Sequence, residues 1–149
     1  MSIDLPLDDP VVAGLLGEPN LARLAYVGLD KRPRVVPIWF VYEDGRFLMV
    51  TGPKAEKVRA IQANPAVALT IDSSTLPYHV LLVNGEAEIE PTEGMAAEYP
   101  AIVQRFLGAA AEGYLANMRG RVKQQRRIRV TPHSYRVLDF VRRFPKSLR

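Results

Sequence analysis

The 149-residue chain has no cysteine. This excludes disulfides, thiolate nucleophiles and cysteine-based metal sites, and it fits a reducing cytoplasm. Histidine is nearly absent: His79 and His133 are the only two, far apart and without metal-ligand spacing. A structural or surface role is expected for each, and no metal is expected. No run of about 18 apolar residues occurs, so no membrane span is expected. The opening "MSIDLPLDDP" is acidic and has no basic segment ahead of an apolar one, which speaks against a secretion signal. Neither common glycine-rich phosphate loop nor a G-x-S-x-G elbow is present. Without cysteine or clustered histidine, a nucleophilic triad is disfavoured. No side chain stands out as an obligatory acid or base. Tyr42, Tyr78 and His79 are candidate proton donors, with packing the stronger expectation for each.

What the chain does have is apolar content and uneven charge. Hydrophobic residues make up 48%, enough for a core, and the length suits a single domain over residues 1–149. Residues 119–149 hold eleven Lys or Arg and one acid, a net of +10; residues 1–118 hold nine basic and fifteen acidic residues, a net of −6. Such asymmetry points to an anionic ligand or partner.

Along the chain, "LDDPVVAGLLG" predicts a short helix capped by Asp8 or Asp9, with Pro10 in its first turn and Gly17 at its end. Strands are predicted over 20–29 and 35–43. Asp44-Gly45 predicts a tight hairpin turn into "RFLMVTG". Residues 54–63 have helical spacing, with Val58 and Ile61 on one face. Residues 66–72 and 79–91 predict strands, the second bent or bulged at Asn84-Gly85. Thr92 is expected to cap a helical region from 93 to about 118, split by Pro100. "RRIRVTP" and "SYRVLDFVR" predict two closing strands. Seven strands with few helices suggest an antiparallel sheet closed into a small barrel.

Three stretches bear on chemistry. Glu86, Glu88 and Glu90 alternate along one predicted strand, as one solvated face does. "RGRVKQQRRIRV" (119–130) holds six basic residues and no acid. It fits a solvated loop with a charged edge strand, or an anion groove. Nucleic acid is disfavoured, because no aromatic is interleaved from 119 to 134 for base stacking. Finally, in "TGPKAEKVRAIQANPAVAL" (51–69) a turn leads into a short basic helix. Thr51, a backbone N–H at Gly52 and Lys57 together suit a phosphate, with help from the helix N-terminus. A plain surface helix fits these residues equally well.

The stretch "RPRVVPIWFVYEDGRFLMVTGPKAEKVRAIQANPAVALTID", followed by "VNGEAEIE" and "RRIRVTPHSYRVLDF", resembles the flavin-binding split-barrel family, the pyridoxamine 5′-phosphate oxidase-like proteins. The resemblance covers roughly residues 10 to 142. It implies a mainly β fold, a six- to seven-stranded antiparallel Greek-key split barrel with a few peripheral helices. It also implies a homodimer with cofactor sites at the interface. Val36, Pro37, Ile38 and Trp39 match the strand that runs along the flavin ring. Thr51 and Gly52 match the end of the next strand, and Lys57 matches the lysine that binds the cofactor phosphate. The chain departs from the oxidases proper, with Glu56 beside that lysine and no Arg-x-His pattern near its end. It is more similar to a shorter branch of the family, many of whose members use a 5-deazaflavin, coenzyme F-420, so FMN is the expected cofactor and F-420 the alternative. Arg119, Arg121, Lys123, Arg126 and Arg127 would suit that cofactor's acidic tail. The implied activity is hydride transfer to or from a small organic substrate. The alternatives are a non-catalytic cofactor carrier and, more distantly, nucleic-acid binding through the basic C-terminal region.

Overall fold

The computed structural model describes residues 1–143 and 146–148. Its elements are α1 (Pro10–Gly17), β1 (Ala22–Val27), β2 (Pro33–Ile38), β3 (Val41–Glu43), β4 (Arg46–Thr51), α2 (Glu56–Ala63), β5 (Ala66–Asp72), β6 (His79–Pro91), α3 (Tyr99–Leu107), α4 (Ala111–Met118) and β7 (Arg126–Asp139). No helix among the described residues is long and apolar enough to cross a membrane.

All seven strands form one antiparallel sheet in the order β2-β1-β5-β6-β7-β4-β3. Only Trp39 and Phe40 separate β2 from β3, yet these two strands are the opposite edges of the sheet. A flat sheet of this width would span roughly 29 Å, at about 4.8 Å per strand. Two linking residues reach only about 10 Å. The sheet therefore curls until its edges approach, and the result is a split barrel. The predicted single strand over 35–43 is thus two strands. A β-branched and aromatic run favours extended backbone but does not show where the chain turns a corner.

Alternation fills the barrel. Leu24, Met49, Leu69, Ile71, Leu81 and Ile128 point inward and are buried, and Phe40 packs against Phe47 with ring centroids 5.6 Å apart. The predicted cap of α1 is present: Asp9 Oδ1 accepts the Val11 N–H at 2.9 Å, and Pro10 occupies the first turn. The hairpin turn is present as well, with Asp44 and Gly45 at φ of 52° and 77°, the left-handed values such a turn needs.

The expected irregularity in β6 is a register shift between Asn84 and Gly85. A Cβ on Gly85 would lie 2.3 Å from the Thr131 carbonyl oxygen, so the strands approach this closely only with glycine there. Pro132 sits opposite Gly85. At a bulge the missing proline N–H leaves no gap in the ladder, so 126–139 runs as one strand where two were expected.

The helical region also differs from expectation. Thr92 is no helix cap: its hydroxyl accepts the Gln125 N–H at 3.0 Å and donates to the Gly94 carbonyl at 2.8 Å. Pro100 does not split a helix but lies in the first turn of α3, where its missing N–H costs nothing. The break comes at Gly108, with φ of 54°, followed by a 3-10 turn over Gly108–Ala110 into α4.

Candidate functional site

Where β2 leaves the sheet, Pro37, Ile38 and Trp39 line a cleft of about 400 Å³. Leu21, Val50 of β4, Tyr99 and Ile102 of α3, and Tyr114 of α4 complete it. The Trp39 ring stacks on Phe106, centroids 5.6 Å apart and planes within 8°, and meets Tyr114 edge-on at 6.0 Å. Trp39 is therefore a packing anchor and a cleft wall at once. The hydroxyls of Tyr99 and Tyr114 are 2.9 Å apart. Burial, with the Tyr114 hydroxyl beside it, pushes the Tyr99 phenol well above its ordinary pKa. Both tyrosines fall within the helical region predicted over 93–118. The two meet only because the chain turns back at Gly108.

The other residues matched to cofactor contacts are distributed around this cleft. Val36 packs against the barrel core. Thr51 ends β4, one residue beyond Val50 of the cleft wall, and lies opposite Arg126 of β7. The Gly52 carbonyl accepts the Ala55 N–H at 3.3 Å to form the turn into α2, and a Cβ on Gly52 would meet no atom of this chain. The N-terminus of α2 has no side-chain cap.

Lys57, in the first turn of α2, does not line the cleft. It is half-buried and has no acidic partner among the described residues, and burial alone holds its pKa below the ordinary lysine value. Glu56, the acid beside it, is drawn to Arg34 at 3.4 Å. That ion pair ties α2 to β2 and leaves Lys57 as a partly desolvated cation. Such a group suits a phosphate.

The basic stretch departs from the expected edge strand. β7 is not an edge strand but lies between β6 and β4. Arg127 is bound within the chain, to Glu90 at 2.6 Å and Glu98 at 2.9 Å, and Arg129 reaches Glu90 at 3.6 Å. The hydrogen bond from Arg127 depresses the Glu90 pKa, so the alternating glutamates form a wet face with one member committed to ion pairs. Among the described residues, Arg126 has only Gln124 and the Gln125 carbonyl as partners. Arg149 lies outside the described residues.

The candidate proton donors lie elsewhere. Tyr42 packs on Phe47 at 4.9 Å, Tyr78 is exposed and edge-on to Phe140, and His79 begins β6 beside Asp139 and Arg143. A larger open hollow of about 550 Å³ lies near the end of β7, with Arg136, Arg142 and Arg143 in its walls. Asp9 neutralises Arg143 there at 2.7 Å.

The family model described as pyridoxamine 5′-phosphate oxidase matches residues 9–139. This chain belongs to the pyridoxamine 5′-phosphate oxidase family. A pyridoxine/pyridoxamine 5′-phosphate oxidase from Chromobacterium violaceum is 35% identical over 82 residues, which are 54% of this chain and 38% of that protein. The match thus spans little more than a third of the relative's length. An F420 reductase of this fold superposes with a TM-score of 0.64 at 26% identity, covering 83% of this chain and 94% of that one. A heme storage protein from Vibrio cholerae shares the fold at 16% identity and a TM-score of 0.62, covering 88% of this chain and 93% of that one. The barrel alone, then, does not assign an activity.

Proposed function

We propose that this protein is a flavin- or deazaflavin-dependent oxidoreductase, with FMN or coenzyme F-420 held along Val36–Trp39 and its phosphate on Lys57, Thr51 and Gly52. The observation that carries this reading is Lys57: a half-buried ammonium without an acidic partner among the described residues, at the open N-terminal turn of α2. Anion binding offsets the cost of having desolvated it. The glycine at 52 supports the same reading, since among the described residues no atom beyond its chain neighbours lies within 4 Å of where its Cβ would be.

The bound cofactor supplies hydride chemistry; the protein binds, orients and shields it. β2 is suited to that task. Among the described residues its second edge pairs with no strand. The prolines at 33 and 37 fall on one alternation, on the face that the burial pattern leaves exposed. Trp39 and the α3–α4 pair close one side against water.

The proposed assembly is a homodimer. Val35 is 65% exposed, and with Ala25, Val27, Pro33, Ala66 and Ala68 it belongs to a shallow apolar face across β2, β1 and β5. Burying such a face against a second copy is favourable.

Fluorescence titration with FMN and with coenzyme F-420, on the protein and on Lys57→Ala, tests the reading. Loss of one charge-assisted phosphate contact weakens binding by roughly tenfold to a hundredfold. Unchanged affinity in the variant would overturn the assignment of Lys57, and binding of neither cofactor at micromolar concentration would overturn the function.

A further inference from the structure

The positive charge of the C-terminal region is only partly neutralised within the fold. Arg127 and Arg129 face glutamates, and Arg119 faces Glu112. The open hollow at the far end of β7 collects much of the remainder. Arg136, Arg142, Arg143 and Lys146 stand in its walls, and among the described residues Asp9 is the one acid of the lining. Arg143 is committed, to Asp9 at 2.7 Å and to Asp139 at 3.4 Å. Among the described residues the side chains of Arg136, Arg142 and Lys146 have no ion pair, and all three residues are exposed. The wall is held in shape from behind. Asp139 is buried, and its Oδ1 accepts the backbone N–H of Val141 at 3.2 Å, that of Arg143 at 3.1 Å, and that of Arg142 between them. This turn fixes where the two arginines leave the backbone. Beside them Tyr135 is 39% exposed, and Pro6, Val137 and Leu138 add apolar surface.

We propose that this hollow is a second ligand site, for a nucleoside di- or triphosphate, with the phosphates on Arg136, Arg142 and Lys146 and the base against Tyr135. The site stands apart from the cofactor reading above and does not rest on it. Arg126, opposite Thr51, lies at the other end of β7, up to about 30 Å from Tyr135 along the strand. Charge sets the ligand class. Three unpaired cations around a hollow of about 550 Å³ repel one another and draw anions toward it. A phosphomonoester offers them a single group. A di- or triphosphate reaches several at once, each through a charge-assisted hydrogen bond. Two of the three are arginines, whose planar fork takes two phosphate oxygens together. Tyr135 supplies what inorganic phosphate does not use, an open aromatic face on which a base stacks. A nucleic-acid strand fits less well, because successive bases need successive rings, and Tyr135 is the one aromatic of the lining among the described residues.

The test is calorimetric titration of the full chain with ADP, pyrophosphate and adenosine. The expected result is saturable ADP binding, roughly tenfold tighter than pyrophosphate and tighter still than adenosine. The double variant Arg136→Ala/Arg142→Ala removes two exposed side chains without ion pairs, so it is expected to fold. It should lose roughly tenfold to a hundredfold in affinity for both ADP and pyrophosphate. Tyr135→Leu should lose about tenfold for ADP and leave pyrophosphate unchanged. Adenosine binding as tightly as ADP, no saturation by millimolar ADP, or a folded arginine variant that binds ADP as the parent does would each overturn the proposal. Full ADP affinity in Tyr135→Leu would remove the nucleoside from it. Loss of ADP binding in Lys57→Ala would place the nucleotide on the cofactor's phosphate site instead, and a single-stranded oligonucleotide that displaces ADP and binds more tightly would make the hollow part of a nucleic-acid surface. Both outcomes count against the proposal. The comparison of the three ligands needs no variant, so a misfolded mutant does not block the test.

Discussion

The barrel interior and the cluster beneath α3 and α4 are both assembled from apolar side chains, but they differ in closure. Inside the barrel Phe40, Phe47, Leu24 and Met49 are fully buried. Aliphatic and phenyl groups dominate there, and dispersion and burial are all they contribute. The second cluster buries Val103, Ala111 and Leu115, but its rim is Trp39 and Tyr114, both half-exposed, with hydroxyls among the rings. The first cluster holds the fold together. The second leaves room for a ligand, and it is anchored to the first through Phe106, which touches both Trp39 and Phe40.

Mutations should separate the two regions, and the largest effect is expected in the barrel. Phe47→Ala should cost about 3–5 kcal/mol in urea unfolding, from lost burial and the cavity left behind. Gly85→Ala should follow at about 1–3 kcal/mol, because its methyl group meets the Thr131 carbonyl and the strands must part. In the second cluster the paired Tyr99→Phe and Tyr114→Phe changes should cost only about 1 kcal/mol, one hydrogen bond, while altering ligand affinity. A cost as large as that of Phe47→Ala would break the distinction. Lys57→Ala should shift stability by no more than about 0.5 kcal/mol and still weaken the cofactor.

The smallest predicted effect sharpens the role of Lys57. Its folded pKa lies below 10.5 because of burial. Phosphate affinity should therefore begin to fall with rising pH before an exposed lysine would lose its proton. Lys57→Arg keeps its charge, so its profile should stay flat over that window. Parallel profiles for both proteins would remove Lys57 from the phosphate contact.

The cationic residues show the same contrast of committed and open groups. Arg127 is held by two glutamates, whereas among the described residues Lys57 has no acid and Arg126 has only amides. Arg127→Ala should thus disturb the seam of β6, β7 and α3, while Arg126→Ala, opposite Thr51, reports on a ligand. Removing both together would mix the two effects.

Features set by neighbours in sequence were legible. The Asp44-Gly45 turn, the Asp9 cap, the strands 66–72 and 79–91 and the Gly85 irregularity all follow from local backbone preference. Features set by distant contacts were not. Trp39–Phe40 is a corner because the sheet must close, and residues 126–139 stay continuous because Pro132 meets the bulge at Gly85. At the site, Lys57 was visible as a cation after a Thr-Gly turn. Its lack of an acidic partner was not, since that depends on Arg34 taking Glu56. The Tyr99–Tyr114 pair left no signal in the sequence, because the turn at Gly108 alone sets its spacing.

The two-residue step between β2 and β3 also matters for biogenesis. β1–β2 and β3–β4 are hairpins that form from near neighbours, yet they finish at opposite ends of the sheet with β5, β6 and β7 between them. A nascent chain that has emerged only as far as Thr51 therefore holds two finished hairpins whose proper partners have not been made. The free edges of β1 and β4 must wait for β5 and β7, and until then each is open to pairing with another chain. Slow translation or truncation before residue 66 should thus favour aggregation far more than the same delay after β7.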